Sequence, residues 1–391
     1  MGIDSVIYIR TDGNSKIATG HLVRCLCIAQ ALESLGKSVC FLVSDEDSFC
    51  LLKDLATSVF SDYKFSFDVK ILETACYDNL EMEIEELSVL LTPAAPLLNS
   101  GTTLPDPDNS SLPGHKILHK NNLPFRKPVI FVDSYFVTEH YFACLSEFAK
   151  VAYMDDLRSF DYKVDLVVNY DIIPPARKQE YHLSYTNAKV SLLGAEYTPL
   201  RRQFQNQEVI LRNTLKKILI TTGGSDPYDF TSTLSAYLLS LKLEIELHVV
   251  VGRLFKNTEL LEELTNQYPS LHLHYNVSDM ASLMKQCDYA VSAAGTTLYE
   301  LCALGIPSIS ISMADNQIPM AETFAQTDAV PYAGDIRVLK IEDMNEILCR
   351  ISEHLISLLN NSSKRFGQHQ KMRQLVDGNG AIKIAEELCK L

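Results

Sequence analysis

The sequence predicts an α/β protein built from two Rossmann-like domains with parallel sheets and a ligand cleft between them. Three observations predict it. The chain has 391 residues, more than one ordinary core accommodates and suited to two domains. Short, wholly apolar runs alternate with runs whose apolar residues recur at helical spacing, the pattern of a parallel sheet covered on both faces. A strand followed by a Gly-bearing loop and a helix start also occurs twice, about half the chain apart, which is a weak internal duplication of fold type.

Composition narrows the function. Apolar residues make up 47% and charged residues 21%, the profile of a globular α/β protein rather than a disordered one. The formal net charge is −14, without a compensating basic tail, so nucleic-acid binding through a Lys/Arg stripe is not expected. An anionic small ligand remains compatible, because helix N-termini hold phosphate without net positive charge. No apolar stretch of membrane-spanning length occurs, and Met1 runs straight into a strand without signal-peptide character. The ten cysteines follow no framework spacing. Cys25, Cys302 and Cys349 read as thiols on apolar helix faces in a reducing cytoplasm, and structural zinc is not expected.

The elements run as follows. Residues 6–9 form an apolar strand, 10–20 a polar Gly-bearing loop, and 21–35 a helix with Leu22, Cys25, Leu26, Ala29 and Leu32 along its apolar side. Strands follow at 39–43, 129–132, 151–154 and 166–168. Residues 92–128 are rich in Pro, Asn, Ser and Gly and read as a surface insertion. His115 and His119 within it read as solvated histidines, since no third metal ligand accompanies them. The first domain is assigned to residues 1–205 and the second to 206–391, with the linker inside 200–215. In the second half the strands are 217–222, 245–251, 271–275, 289–293 and 307–313, with helices at 230–241, ending at 287, and at 295–304. The terminal helix, 380–391, is expected to pack back on the first half.

Four loops carry candidate chemistry, each at the C-terminal end of a strand, where open α/β sheets bind ligands. The first spans Arg10-Thr11-Asp12 to Gly20-His21-Leu22-Val23-Arg24. His21 starts a helix, whose positive end disfavours imidazolium and leaves the ring able to accept a proton. Arg24 lies one turn on, on the same face. The second is Ala293-Ala294-Gly295-Thr296-Thr297-Leu298-Tyr299-Glu300. Its small residues, free amides and hydroxyls suit a diphosphate, and Glu300 suits a ribose diol. Ala314-Asp315-Asn316-Gln317 and Gly223-Gly224-Ser225-Asp226-Pro227 are the others. Each has a plain alternative as a turn or helix cap. Asp45-Glu46-Asp47 matches the DxD pattern of metal-dependent glycosyltransferases but reads as a solvated loop. Met154-Asp155-Asp156 is similar, although its strand-end position puts it near the cleft.

Taken together, the Gly20–Arg24 stretch, Val132-Asp133-Ser134-Tyr135, Met154-Asp155-Asp156, Leu193-Gly194-Ala195-Glu196-Tyr197, Gly223–Pro227, the Gly295–Glu300 turn and Ala314–Gln317 resemble the PseG family. Those enzymes are UDP-2,4-diacetamido-2,4,6-trideoxy-β-L-altropyranose hydrolases of pseudaminic acid biosynthesis, and the SpsG spore-coat proteins share the pattern. The resemblance covers residues 6–335 apart from the insertion; Ala18 and Ala294 depart from it. It implies a GT-B fold similar to MurG and hydrolysis of a UDP-linked deoxy amino sugar at the anomeric carbon by inverting attack of water. His21 and Asn316 would be catalytic. Asp12, Gly20, Arg24, Tyr135, Gly224, Ser225 and Gln317 would contact the sugar. Gly295, Thr296, Thr297 and Glu300 would hold the nucleotide. It implies no cofactor or metal, and a bacterial cytoplasmic setting. The alternatives are a GT-B glycosyltransferase and a catalytically silent nucleotide-sugar-binding protein.

Overall fold

A computed structural model describes residues 6–14, 17, 19–75, 78–92, 126–337 and 341–391. Most of the 92–128 insertion, with His115 and His119, lies outside the described residues, as does Ala18.

Two parallel sheets organise the chain. The first has seven strands: β1 Ile7–Thr11, β2 Val39–Val43, β3 Asp68–Ile71, β4 Val129–Asp133, β5 Lys150–Met154, β6 Leu166–Asn169 and β7 Val190–Leu193. Their order is β3-β2-β1-β4-β5-β6-β7. The second has six: β8 Lys217–Thr221, β9 Glu246–Val251, β10 Leu271–Tyr275, β11 Tyr289–Ala293, β12 Ser308–Ser312 and β13 Tyr332–Asp335, in the order β10-β9-β8-β11-β12-β13. Central strands β2, β4, β11 and β12 are buried along their whole length, which explains their continuous apolar or small-residue runs.

Helices cover both sheets. In the first half they are α1 Gly20–Ser34, α2 Glu46–Ser58, α3 Leu80–Leu91, α4 Glu139–Phe148 and α5 Lys178–Leu183. In the second they are α6 Phe230–Ser240, α7 Glu259–Gln267, α8 Met280–Gln286, α9 Thr296–Leu304, α10 Ile318–Gln326, α11 Ile341–Leu359, α12 Ser362–Leu375 and α13 Gly380–Lys390.

The last helix crosses back. Ala381, Ile384, Ala385 and Leu388 of α13 are buried in the core that contains Ile7, Ile9 and the apolar side of α1. The crossing is tight where the chain passes the segment joining the sheets. Gly378 has φ +84°, and a Cβ there would stand 2.2 Å from the Phe204 carbonyl oxygen, so only glycine fits.

Both sheets switch direction of winding beside their first strand: β1 pairs with β2 and β4, and β8 with β9 and β11. Loops leaving β1, β4, β8 and β11 therefore gather at the crevice that such a switch opens. Among the described residues, no helix is long and apolar enough to cross a membrane.

Candidate active site

A cavity of about 900 Å³ is lined from both halves. The first half contributes Asp12, Thr19, Gly20, His21, Arg24, Asp133, Ser134, Tyr135, Asp156 and Tyr170. The second contributes Gly223, Gly224, Val250, Thr296, Thr297, Tyr299 and Glu300, and the segment between the sheets Thr198 and Arg201.

Asp133 is the centre of the first wall. It ends β4, beside Thr11 of β1, and is 1% exposed. Its Oδ1 lies 2.6 Å from His21 Nδ1. Arg24 donates to the same carboxylate through Nε at 2.6 Å and Nη2 at 2.5 Å. Burial alone would push the Asp133 carboxyl up, but the Arg24 guanidinium and the His21 ring more than offset it and hold it well below the usual carboxylate range. Arg24 in turn is kept charged despite its burial, chiefly by Asp133. An ionised carboxylate can only accept, so the hydrogen between it and His21 sits on Nδ1, which leaves Nε2 as the ring atom that can take up a proton. The one-turn spacing of His21 and Arg24 on α1 thus serves a shared buried anion.

Further contacts fix the surroundings. Arg24 Nη1 donates to Asp156 Oδ2 at 3.0 Å and lies 2.9 Å from the Tyr170 hydroxyl. The Tyr135 hydroxyl donates to Asp156 Oδ2 at 2.9 Å, and its ring meets that of His21 edge-on at 4.6 Å. Asp156 Oδ1 has no hydrogen-bond partner among the described residues. Its neighbour Asp155 turns into the core, accepting from the Tyr162 and Tyr185 hydroxyls at 2.9 and 2.6 Å.

Asp12 lines the cavity but is committed to the protein. Its carboxylate accepts from Arg10 Nη1 at 2.7 Å, the Ser44 amide at 2.6 Å and the Ser44 hydroxyl at 2.7 Å. The Asp45-Glu46-Asp47 triplet is solvated but starts a helix: Asp45 caps α2 by accepting from the Ser48 amide at 2.6 Å, and Glu46 and Asp47 stand exposed in its first turn.

On the second wall, Gly295 is the N-cap of α9 and supplies no side-chain cap. The first-turn amides of a helix have no intrahelical acceptor, and Thr296 and Thr297 bring this end to the cavity. Glu300 is buried, with Oε1 accepting from Arg201 Nη2 at 2.8 Å. Gly223 and Gly224 line the cavity where β8 ends. A Cβ on Gly252 would come within 2.4 Å of the Gly223 carbonyl oxygen, so glycine at 252 lets this loop lie close.

Four sequence candidates stand off the wall. Ser225 is exposed in the turn whose Asp226 caps α6 through the Phe230 and Thr231 amides. Gly295 is not among the lining residues. Asn316 is exposed on a 3-10 turn, Asp315–Gln317. Gln317 folds back, its Oε1 accepting from the Met313 amide at 2.8 Å. Neither Asn316 nor Gln317 lines the cavity. Conversely, the roles of Asp133, Asp156, Tyr170 and Arg201 were not assigned from sequence. A carboxylate at the end of a central strand was the available signal for Asp133; nothing local marks Arg201.

Comparison with known proteins follows the same lines. No family profile matches the chain. It is 28% identical over 195 residues to the spore coat polysaccharide biosynthesis protein SpsG of Bacillus subtilis, covering 49% of this chain and 56% of that one. It is 29% identical over 227 residues to a pseudaminic acid cytidylyltransferase and UDP-2,4-diacetamido-2,4,6-trideoxy-β-L-altropyranose hydrolase of Helicobacter pylori, covering 54% of this chain and 40% of that one. The chain spans about half the length of the curated relatives it matches. Among solved structures it is similar to MurG of Acinetobacter baumannii, with TM-score 0.59, 14% identity and 99% of both chains covered. It is also similar to TcCGT1 in complex with UDP, with TM-score 0.56, 12% identity and coverage of 99% and 100%. The fold is therefore GT-B-like: two Rossmann-like domains, each on a parallel sheet.

Proposed function

We propose that the protein hydrolyses a UDP-linked deoxy amino sugar at its anomeric carbon, releasing UDP and the free sugar. The observation that carries this reading is the His21–Asp133 pair on the wall of a cavity whose other side includes the uncapped start of α9. The partial match to the Helicobacter pylori protein, whose name includes such a hydrolase, supports it.

In this reading UDP lies towards α9. The Thr296 and Thr297 end takes the diphosphate, where free amides and the helix dipole favour negative charge, and Glu300 meets the ribose diol. The sugar extends towards the first half. The Asp156 oxygen left without a protein partner accepts from a sugar hydroxyl or amide, and Tyr135 packs beside it. Water adds through its oxygen to C1 while the bond from C1 to the diphosphate oxygen breaks. The water proton passes to His21 Nε2, Asp133 stabilises the imidazolium so formed, and UDP leaves with the bonding electrons. Attack opposite the leaving group inverts the configuration. Negative charge builds on the departing diphosphate where the α9 amides stabilise it. Asn316 and Gln317 would assist only after moving from their exposed turn.

Glu300→Ala is expected to weaken UDP binding by about 1.5–3 kcal/mol, the worth of a hydrogen bond to a charged acceptor. Calorimetry with UDP checks this, and unchanged affinity would assign Glu300 to the ion pair with Arg201 alone.

The second reading is a glycosyltransferase, favoured by the likeness to MurG. Incubation with UDP-linked acetamido sugars, with and without sugar or alcohol acceptors, separates the two. Free sugar and UDP without acceptor support the hydrolase, and acceptor-dependent turnover the transferase.

A further inference from the structure

The first two strands beside β8 carry a second group of ionisable side chains outside the cavity. In the parallel pairing of β9 with β10, His272 stands opposite His248. Strand alternation puts Glu246 and His248 of β9 and His272 and His274 of β10 on one face. That face is opposite the one from which Leu247, Val249 and Leu273 enter a core.

The geometry is that of a ligand set. One donor atom from each of Glu246, His248 and His272 lies within 4.8 Å of the other two. Glu246 Oε2 is 3.6 Å from His248 Nε2. The rings of His272 and His274 flank that of His248, with centroids 5.0 and 5.2 Å away. An independent observation points to a ligand. The His248 side chain is only 8% exposed, and its Nε2 is a buried nitrogen without a hydrogen-bond partner. Such a group forfeits hydration for nothing in return unless something occupies it.

We propose that Glu246, His248 and His272 bind a divalent transition ion of the zinc class. Two imidazoles and one carboxylate suit such an ion, with water completing four-coordination. His248 is prepared for it. With Nε2 as ligand, Nδ1 carries the hydrogen and donates it to His274 Nε2, 3.0 Å away. Ligating histidines are oriented by such a contact. The competitor is Lys217, whose Nζ lies 3.3 Å from Glu246 Oε2; both side chains are partly exposed and free to separate. His272 is exposed and opens the site to solvent. Since β10 is an edge strand, the ion would clip that edge to its neighbour. The ligands come from two paired strands, a placement that spacing along the sequence does not display.

The test is a Zn²⁺ titration of chelator-stripped full-length protein by calorimetry, with Co²⁺ absorption as a report on coordination. Wild type is expected to take up one equivalent, show tetrahedral Co²⁺ bands and unfold at a higher temperature with Zn²⁺. Because His272 is exposed, His272→Ala keeps the fold, and it should bind Zn²⁺ at least about tenfold more weakly. His248→Ala should do the same, and His140→Ala, on α4, should match wild type. No uptake by wild type, or unchanged affinity and stoichiometry in His272→Ala, would overturn the proposal.

Discussion

Replacement of His21 by alanine is expected to lower turnover of a UDP-sugar on the order of 10²–10⁴-fold, the contribution of a positioned general base. UDP affinity should hardly change, because UDP is proposed to sit towards α9. The size of the effect follows from the site. His21 is buried in the wall and its Nδ1 is tied to Asp133, which leaves its other nitrogen to take the proton. Measurement of kcat and KM beside UDP calorimetry checks both halves. Near-normal kcat in the variant would remove His21 from the chemistry.

Asp133→Asn should be at least as damaging and in a different way. The amide nearly keeps the shape but replaces one of the two acceptor oxygens with a donor, so it cannot accept from Arg24 and His21 as the carboxylate does. In acid–base triads such a change costs on the order of 10⁴-fold, because the wrong tautomer of the histidine is held. Here it also leaves the buried Arg24 charge with Asp156 as its remaining carboxylate partner, and breaking a buried pair costs up to roughly 3–5 kcal/mol. Stability should report this through pH. Asp133 is held below the usual carboxylate range when folded. Its contribution is therefore complete above the unfolded value near pH ~4 and is lost as acid protonates the folded carboxylate. Denaturant unfolding should show the wild type losing that stability at low pH, while Asp133→Asn lacks it throughout. A variant as stable as wild type near neutral pH, with unchanged turnover, would make the cluster a packing feature.

The sequence made the buried strands legible and the edges much less so. Buried β2 and β11 coincide with their apolar runs, and the one edge strand read correctly is β10, where Leu271 and Leu273 alternate with histidines. By contrast β3, β7 and β13 were missed. All three are edge strands: β3 is largely exposed and β13 reads Tyr-Ala-Gly-Asp, so neither carries the run by which a doubly covered strand is recognised. The site was legible where it is local. Gly20, His21 and Arg24, and Thr296, Thr297 and Glu300, all reach the cavity. It was not legible where partners are remote: His21 meets Asp133 112 positions on, and Glu300 meets Arg201 99 positions back. Asn316 and Gln317 show the converse: both lie off the cavity. A polar run after a strand reads as a crevice residue set, but Gln317 was needed to satisfy the Met313 amide.

In the proposed reaction water attacks carbon. A UDP-linked diacetamido trideoxy sugar, incubated with the enzyme in ¹⁸O-water without acceptor, tests it most directly by mass spectrometry of both products. Attack at C1 places the label on C1 of the free sugar and leaves UDP unlabelled. Label in the UDP phosphate would mean attack at phosphorus, and no turnover until an alcohol is added would mean a transferase; either result would contradict the account.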